Sequence, residues 1–173
     1  PAFLGESPGG NLLPNVASLA KAGTLPSVCG GAVPRIGAVS AVYPAADIAA
    51  VWNNSYVPTG AGVGVMAEEY IGGSPAAYPE RYAATSSTAH LGASTPPTLL
   101  FISENDHLVP VESMRAYDRA ARRAGVRVRT VEIPFAEHGF DATGIGNALV
   151  RQTTMQFLGA ELTGAGGRAG AAR

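Results

Sequence analysis

Three residue types able to cooperate in acyl transfer are spread along this chain: a serine at position 7, an aspartate at 106 and a histidine at 138. A serine hydroxyl is a poor nucleophile until an imidazole takes its proton. The imidazole in turn needs a carboxylate to hold its tautomer and stabilise its positive form. Ser7 lies in Gly5-Glu6-Ser7-Pro8-Gly9-Gly10, after the apolar pair Phe3-Leu4 and before the helix-like run that opens with Asn11-Leu12-Leu13. This G-x-S-x-G pattern is the sequence form of a sharp strand-to-helix turn that lifts a serine out of the backbone. Gly5, Gly9 and Gly10 suit it because such a turn is crowded and strained. By itself the pattern is weak in a chain with 22 glycines; it gains weight from an acid and a histidine downstream, in that order.

The elements that must position these residues alternate. Residues 7–22 carry Leu12, Leu13, Val16, Leu19 and Ala20 at helical spacing, with Gly23 as a stop and Pro14 expected to kink the helix or delay its start. Ile36 to Val42 reads as a strand buried on both faces, and Pro96 to Ser103 as another. Val111 to Ala124 is an amphipathic helix closed by Gly125, Val126 to Ile133 a final strand, and Ile145 to Leu162 a closing helix. The pattern predicts a mainly parallel sheet flanked by helices, with the site beyond the carboxyl ends of its strands. Ser7, Asp106 and His138 all fall at such ends.

About fifty residues, 45–95, separate the second and third strands, far more than an ordinary connection. They read as a cap insertion, with Asp47 capping a short helix that ends at Trp52 and a Gly-rich link from Thr59 to Gly64. Trp52, Tyr56, Met66 and Tyr70 are its candidate pocket walls; the competing reading makes them the cap's own core. Residues 1–162 read as the C-terminal part of a single domain, and the small-residue stretch 163–173 is expected to be a disordered tail.

Composition narrows the partners. A net charge of −1 leaves no basic footprint for nucleic acid, and no apolar run approaches the length of a membrane span. Cys29 is the sole cysteine, excluding an intrachain disulfide, and reads as a buried, inert thiol. Three histidines without supporting cysteine or carboxylate spacing make no metal site. Among rivals for the triad, Glu104 and Asp141 are alternative acids; His90 reads as a structural histidine, and the side chain of His107 is expected to point away from the acid it follows. Glu6 reads as a buried, hydrogen-bonded support for the turn.

Taken jointly, the motifs resemble the hormone-sensitive-lipase-like and feruloyl-esterase-like α/β-hydrolases. Gly5-Glu6-Ser7-Pro8-Gly9-Gly10-Asn11 is similar to their GESAGGN elbow, Asp106-His107-Leu108-Val109-Pro110 to their acid turn, and Glu137-His138-Gly139-Phe140 to their histidine loop. Tyr43-Pro44-Ala45-Ala46-Asp47 and Tyr70-Ile71-Gly72-Gly73 also look familial. The resemblance implies a serine esterase acting on small-molecule carboxylic esters, with Ser7, Asp106 and His138 as its triad and no metal or organic cofactor. A prolyl-oligopeptidase-type peptidase and a catalytically inactive remnant of the same fold are the alternatives.

Two departures stand out. In the resembled family, early strands and an HGG-type loop that supplies oxyanion-hole amides precede the elbow, and no His-Gly-Gly occurs here. The chain therefore reads as the C-terminal portion of a larger domain. The elbow strand is then expected at a raw sheet edge, to be covered by the missing N-terminal half or by a homodimer partner. The second departure is Pro8, which has no N–H to lend to a developing oxyanion, although proline suits the first turn of a helix.

Overall fold

The computed structural model describes residues 1–56 and 62–170. Four parallel strands, β1 (Ala2–Glu6), β2 (Ala38–Val42), β3 (Thr98–Ser103) and β4 (Val128–Ile133), lie side by side in chain order. Every residue of β2 and β3 is buried. This explains why both are mostly apolar with no polar alternation: a parallel strand covered on both faces has no solvent side to alternate toward. β4 alternates because it forms one edge; β1 forms the other, with Leu4 about half exposed.

Helix α1 (Pro8–Ala22) joins β1 to β2, α5 (Val111–Arg123) joins β3 to β4, and α6 (Gly144–Gly170) follows β4. Neighbouring residues of a strand point to opposite faces. Val39 accordingly packs with Phe3, Ala17 and Ile36 on the α1 side, while the hydroxyls of Ser40 and Thr154 (on α6) meet at 2.9 Å on the other. The wider core gathers Leu99, Leu100, Phe101, Ile102, Met114 and Tyr117, all essentially inaccessible. Burying one such side chain contributes about 1.5–3 kcal/mol.

Between β2 and β3 the chain forms α2 (Ile48–Trp52), α3 (Val63–Ile71), α4 (Pro79–Thr85) and a short 3-10 turn, Ser87–His90. Asp47 caps α2 as its sequence predicts, its Oδ1 accepting from the amides of Ala49 and Ala50 at 3.0 and 3.2 Å. Asn11 and Asn15 of α1 fasten this segment down. Both donate to the carbonyl of Thr85 at 2.9 Å, and Asn11 also donates to Ser87 Oγ at 3.0 Å.

Several boundaries depart from expectation. α1 starts at Pro8 and carries Pro14 within it, so the proline does not delay the helix. β2 and β4 each begin two residues later than their apolar runs, because Ile36 and Val126 are buried in the connections instead. α6 runs past Leu162, overlapping the stretch read as a tail. The link read from Thr59 to Gly64 lies partly outside the described residues. Cys29 is exposed in the loop after α1 and not buried, because that Gly- and Pro-rich stretch packs little against the sheet. No described helix is long and apolar enough to cross a membrane.

Candidate active site

The carboxyl ends of the four strands bring one turn each to a common point. Ser7 follows β1 with φ 51° and ψ −118°, a left-handed conformation that costs a non-glycine residue about 1–3 kcal/mol and persists only where its surroundings enforce it. They do so on both sides. Ser7 N–H donates to Val42 O at 3.0 Å, and Ser7 O accepts from the amides of Ala45 and Asn11 at 3.1 and 3.2 Å. Crowding requires glycine at position 5, where a Cβ would stand 2.4 Å from Gly9 O, and favours it at position 10, where one would stand 3.0 Å from Pro44 Cα. Contrary to expectation, Gly9 is not crowded, since a Cβ there would meet nothing within 4 Å.

Although Ser7 occupies the N-cap position of α1, its side chain caps nothing. The hydroxyl instead donates to His138 Nε2 at 2.8 Å. His138 Nδ1 donates to Asp106 Oδ2 at 2.7 Å, the tautomer that two such neighbours require. Asp106 is held on all sides: its Oδ2 also accepts from Ser103 Oγ at 2.8 Å, and its Oδ1 accepts from the amides of Leu108 and Val109 at 3.0 and 2.8 Å. Its side chain is fully shielded from solvent. A carboxylate with so many donors has one orientation open to it, and that orientation fixes the imidazole.

The rival residues lie elsewhere. Glu104 Oε2 accepts from the Phe135 amide, and Asp141 Oδ1 from the Tyr43 hydroxyl. His90 Nε2 is tied to Ala84 O at 2.7 Å. His107 points outward to Glu137 at 2.7 Å, away from the relay, as expected of a residue that directly follows Asp106. Glu6 is exposed and not the buried support it was read as, because it sits on the open edge of β1. Partial burial, then the charge of Asp141, raises its carboxyl above the ordinary glutamate range, while the Tyr43 phenol opposes the rise.

A cavity of about 420 Å³ opens between this relay and the 45–95 segment. Ser7, Pro8 and His138 line its floor; Ile48, Val51, Val63, Met66 and Ala67 of α2 and α3 line its wall, with Ala45, Glu69, Tyr70, Leu108 and Val109 completing it. Of the four side chains read as pocket walls, Met66 and Tyr70 line this cavity, and the Tyr70 hydroxyl donates to Asn11 Oδ1 at 3.3 Å. Trp52 and Tyr56 do not line it. The inward face of α2 is made by Ile48 and Val51, and the residue after Val51 is turned about 100° away. Trp52 Nε1 therefore donates to Glu68 Oε1 at 2.8 Å, while Tyr56 lies against His107 with ring centroids 5.3 Å apart, at an outer groove. Sequence reasoning missed the aliphatic wall; the i, i+3 pair Ile48/Val51 was its available signal.

Residues 1–142 match the family described as the alpha/beta hydrolase fold. The chain belongs to that family. Among solved structures, this α/β-hydrolase is similar to an acetyl ester-xyloside bifunctional hydrolase from Caldicellulosiruptor lactoaceticus (TM-score 0.69, 21% identity, 91% of this chain and 56% of that one). It is also similar to carboxyl esterase 2 of the mycorrhizal fungus Tuber melanosporum (TM-score 0.66, 19% identity, 92% of this chain and 54% of that one). At these identities the likeness is one of fold. In sequence the α/β-hydrolase chain is 32% identical to esterase LipQ of Mycobacterium tuberculosis over 83 residues, 47% of this chain and 20% of LipQ. The chain spans about half the length of these solved structures, and its match covers a fifth of LipQ.

Proposed function

We propose that this chain carries the reactive centre of a carboxylic ester hydrolase, with Ser7 as nucleophile, His138 as general base and acid, and Asp106 as the carboxylate that orients it. The observation that carries the reading is the continuous relay from Ser7 Oγ through His138 to Asp106, with contacts of 2.8 and 2.7 Å. The esterase names of its relatives agree with it. Ser7 Oγ attacks the ester carbonyl carbon while His138 Nε2 takes its proton. Collapse of the tetrahedral adduct breaks the bond to the alkoxy oxygen, which leaves as alcohol with the proton from His138. Water, deprotonated by the same nitrogen, then attacks the acyl-serine, releasing the acid and restoring Ser7.

The cavity supports small to medium esters whose apolar portion rests against Val51, Val63 and Ala67; its volume lies at the low end of the range for small-molecule sites. In this reading residues 45–95 act as a cap, since α2 and α3 furnish that wall. One observation favours the inactive alternative. Pro8 lines the cavity beside Ser7 yet has no amide hydrogen, so the residue after the nucleophile offers the oxyanion no donor. The test is labelling with a fluorophosphonate, with mass spectrometry to locate the adduct and heat-denatured protein as control. An adduct on Ser7 in native protein alone is expected. Its absence, or an equal adduct after denaturation, overturns the reading.

A further inference from the structure

The geometry points to Tyr43 as a positioning residue for His138: its ring, anchored through the hydroxyl on Asp141, sets the plane of the imidazole between Ser7 and Asp106. The inference rests on the function proposed above. It begins from a gap in what hydrogen bonds alone can do. Contacts at Nε2 and Nδ1 fix two points of the imidazole, but rocking about the line joining them is opposed only softly, because hydrogen bonds tolerate tens of degrees of misalignment. Something must press on the ring face. Tyr43 does, with ring centroids 4.5 Å apart and planes at 54°.

Tyr43 is itself held from several directions. It is the first residue after β2, buried, with φ 35°, a conformation that a bulky residue adopts only under constraint. Its N–H donates to Phe101 O at 2.9 Å, which pins the backbone to β3. Its hydroxyl donates to Asp141 Oδ1, and Phe140 meets its ring edge-on at 5.5 Å and 79°. Phe140 and Asp141 are the second and third residues after His138. Tyr43 therefore holds the histidine loop at three points, and does so from the end of the strand next to the nucleophile's own. Burial, Asp141, Glu6 and Asp106 all push the phenol well above its ordinary pKa, so it remains a donor throughout the range in which an imidazole works.

The test compares Tyr43→Phe, Asp141→Asn and Asp141→Ala with the parent chain. Two readouts are taken: the rate of Ser7 phosphonylation, and the Nδ1–H resonance of His138 in protein labelled with ¹⁵N-histidine. Tyr43→Phe keeps the ring but frees it from its anchor. It is expected to slow phosphonylation about tenfold and to broaden or shift the Nδ1–H signal, with little change in the reagent concentration giving half-maximal rate. Asp141→Asn retains a carbonyl acceptor and should lose less than Asp141→Ala, with the Nδ1–H signal displaced in the same order. A rate within twofold of the parent together with an unchanged resonance in Tyr43→Phe overturns the assignment. So does an equal loss in both Asp141 variants. If the parent itself is not modified at Ser7, the esterase reading falls, and the resonance alone then decides whether Tyr43 orients His138.

Discussion

On the function proposed above, replacing Pro8 by alanine should speed ester hydrolysis and make the protein slightly less stable. Position 8 is the first residue of α1, where a proline costs nothing in hydrogen bonding because the first-turn amides have no intrahelical partner. Losing its fixed φ releases conformational entropy to the unfolded chain, a cost of about 0.4–1 kcal/mol. The gain is larger. Removing one oxyanion donor from a serine hydrolase costs about a hundred- to thousandfold in kcat, equivalent to ~3–4 kcal/mol. Supplying one should return a part of that factor where the backbone is already held. Here it is: Ser7 is tied to Val42, Ala45 and Asn11, so the new amide emerges from a fixed peptide beside the cavity. The expected rise in kcat is about 10- to 100-fold, with KM changed less than about threefold, since the donor acts on charge that develops only in the transition state. The assay is hydrolysis of p-nitrophenyl butyrate, normalised to Ser7 titrated with the fluorophosphonate and corrected with a Ser7→Ala blank. Equal kcat values in parent and variant, both fully titratable, would refute the reasoning and show that an amide at position 8 does not face the oxyanion.

Two further outcomes follow from other parts of the site. Ala67→Leu inserts a branched side chain into the buried wall of the cavity and should lower kcat/KM more for octanoyl than for acetyl esters, by about fourfold per excluded methylene; equal losses for both would place the acyl group elsewhere. Glu6 has a folded-state pKa raised above its unfolded value, so whatever stability it contributes is present below the unfolded pKa and is lost as pH rises through the folded one. Glu6→Gln should therefore raise the unfolding temperature at about pH 8 relative to the parent and leave it unchanged at about pH 4, as read by calorimetry.

The relay was legible in the sequence because each of its members sits in a short local pattern at a strand end, and strand ends are set by runs of buried residues that any reader can see. The alternation of elements gave the sheet, and the four described strands lie in it in chain order with β1 at one edge. The cavity wall was less legible for a physical reason. Aromatic size marks a residue for burial without saying against what, and a shift of one residue along α2 separates Val51, which faces the cavity, from Trp52, which bonds to Glu68. Tyr43 was the least accessible of all. Its motif was visible, but its partner Asp141 is 98 residues away and carries no spacing signal that links the two.

The sheet runs β1-β2-β3-β4, so Ser7 and His138 start from opposite edges, and the loop after β4 must reach back across β3 and β2 to meet Ser7. The two residues are 131 apart in the chain. During vectorial synthesis at about 5–20 residues per second, the serine emerges several seconds before its histidine. Until β4 has paired and its loop has docked, Ser7 is only an alcohol on a tight turn. If Ser7 is the nucleophile proposed above, no partly made chain that lacks His138 carries an activated serine.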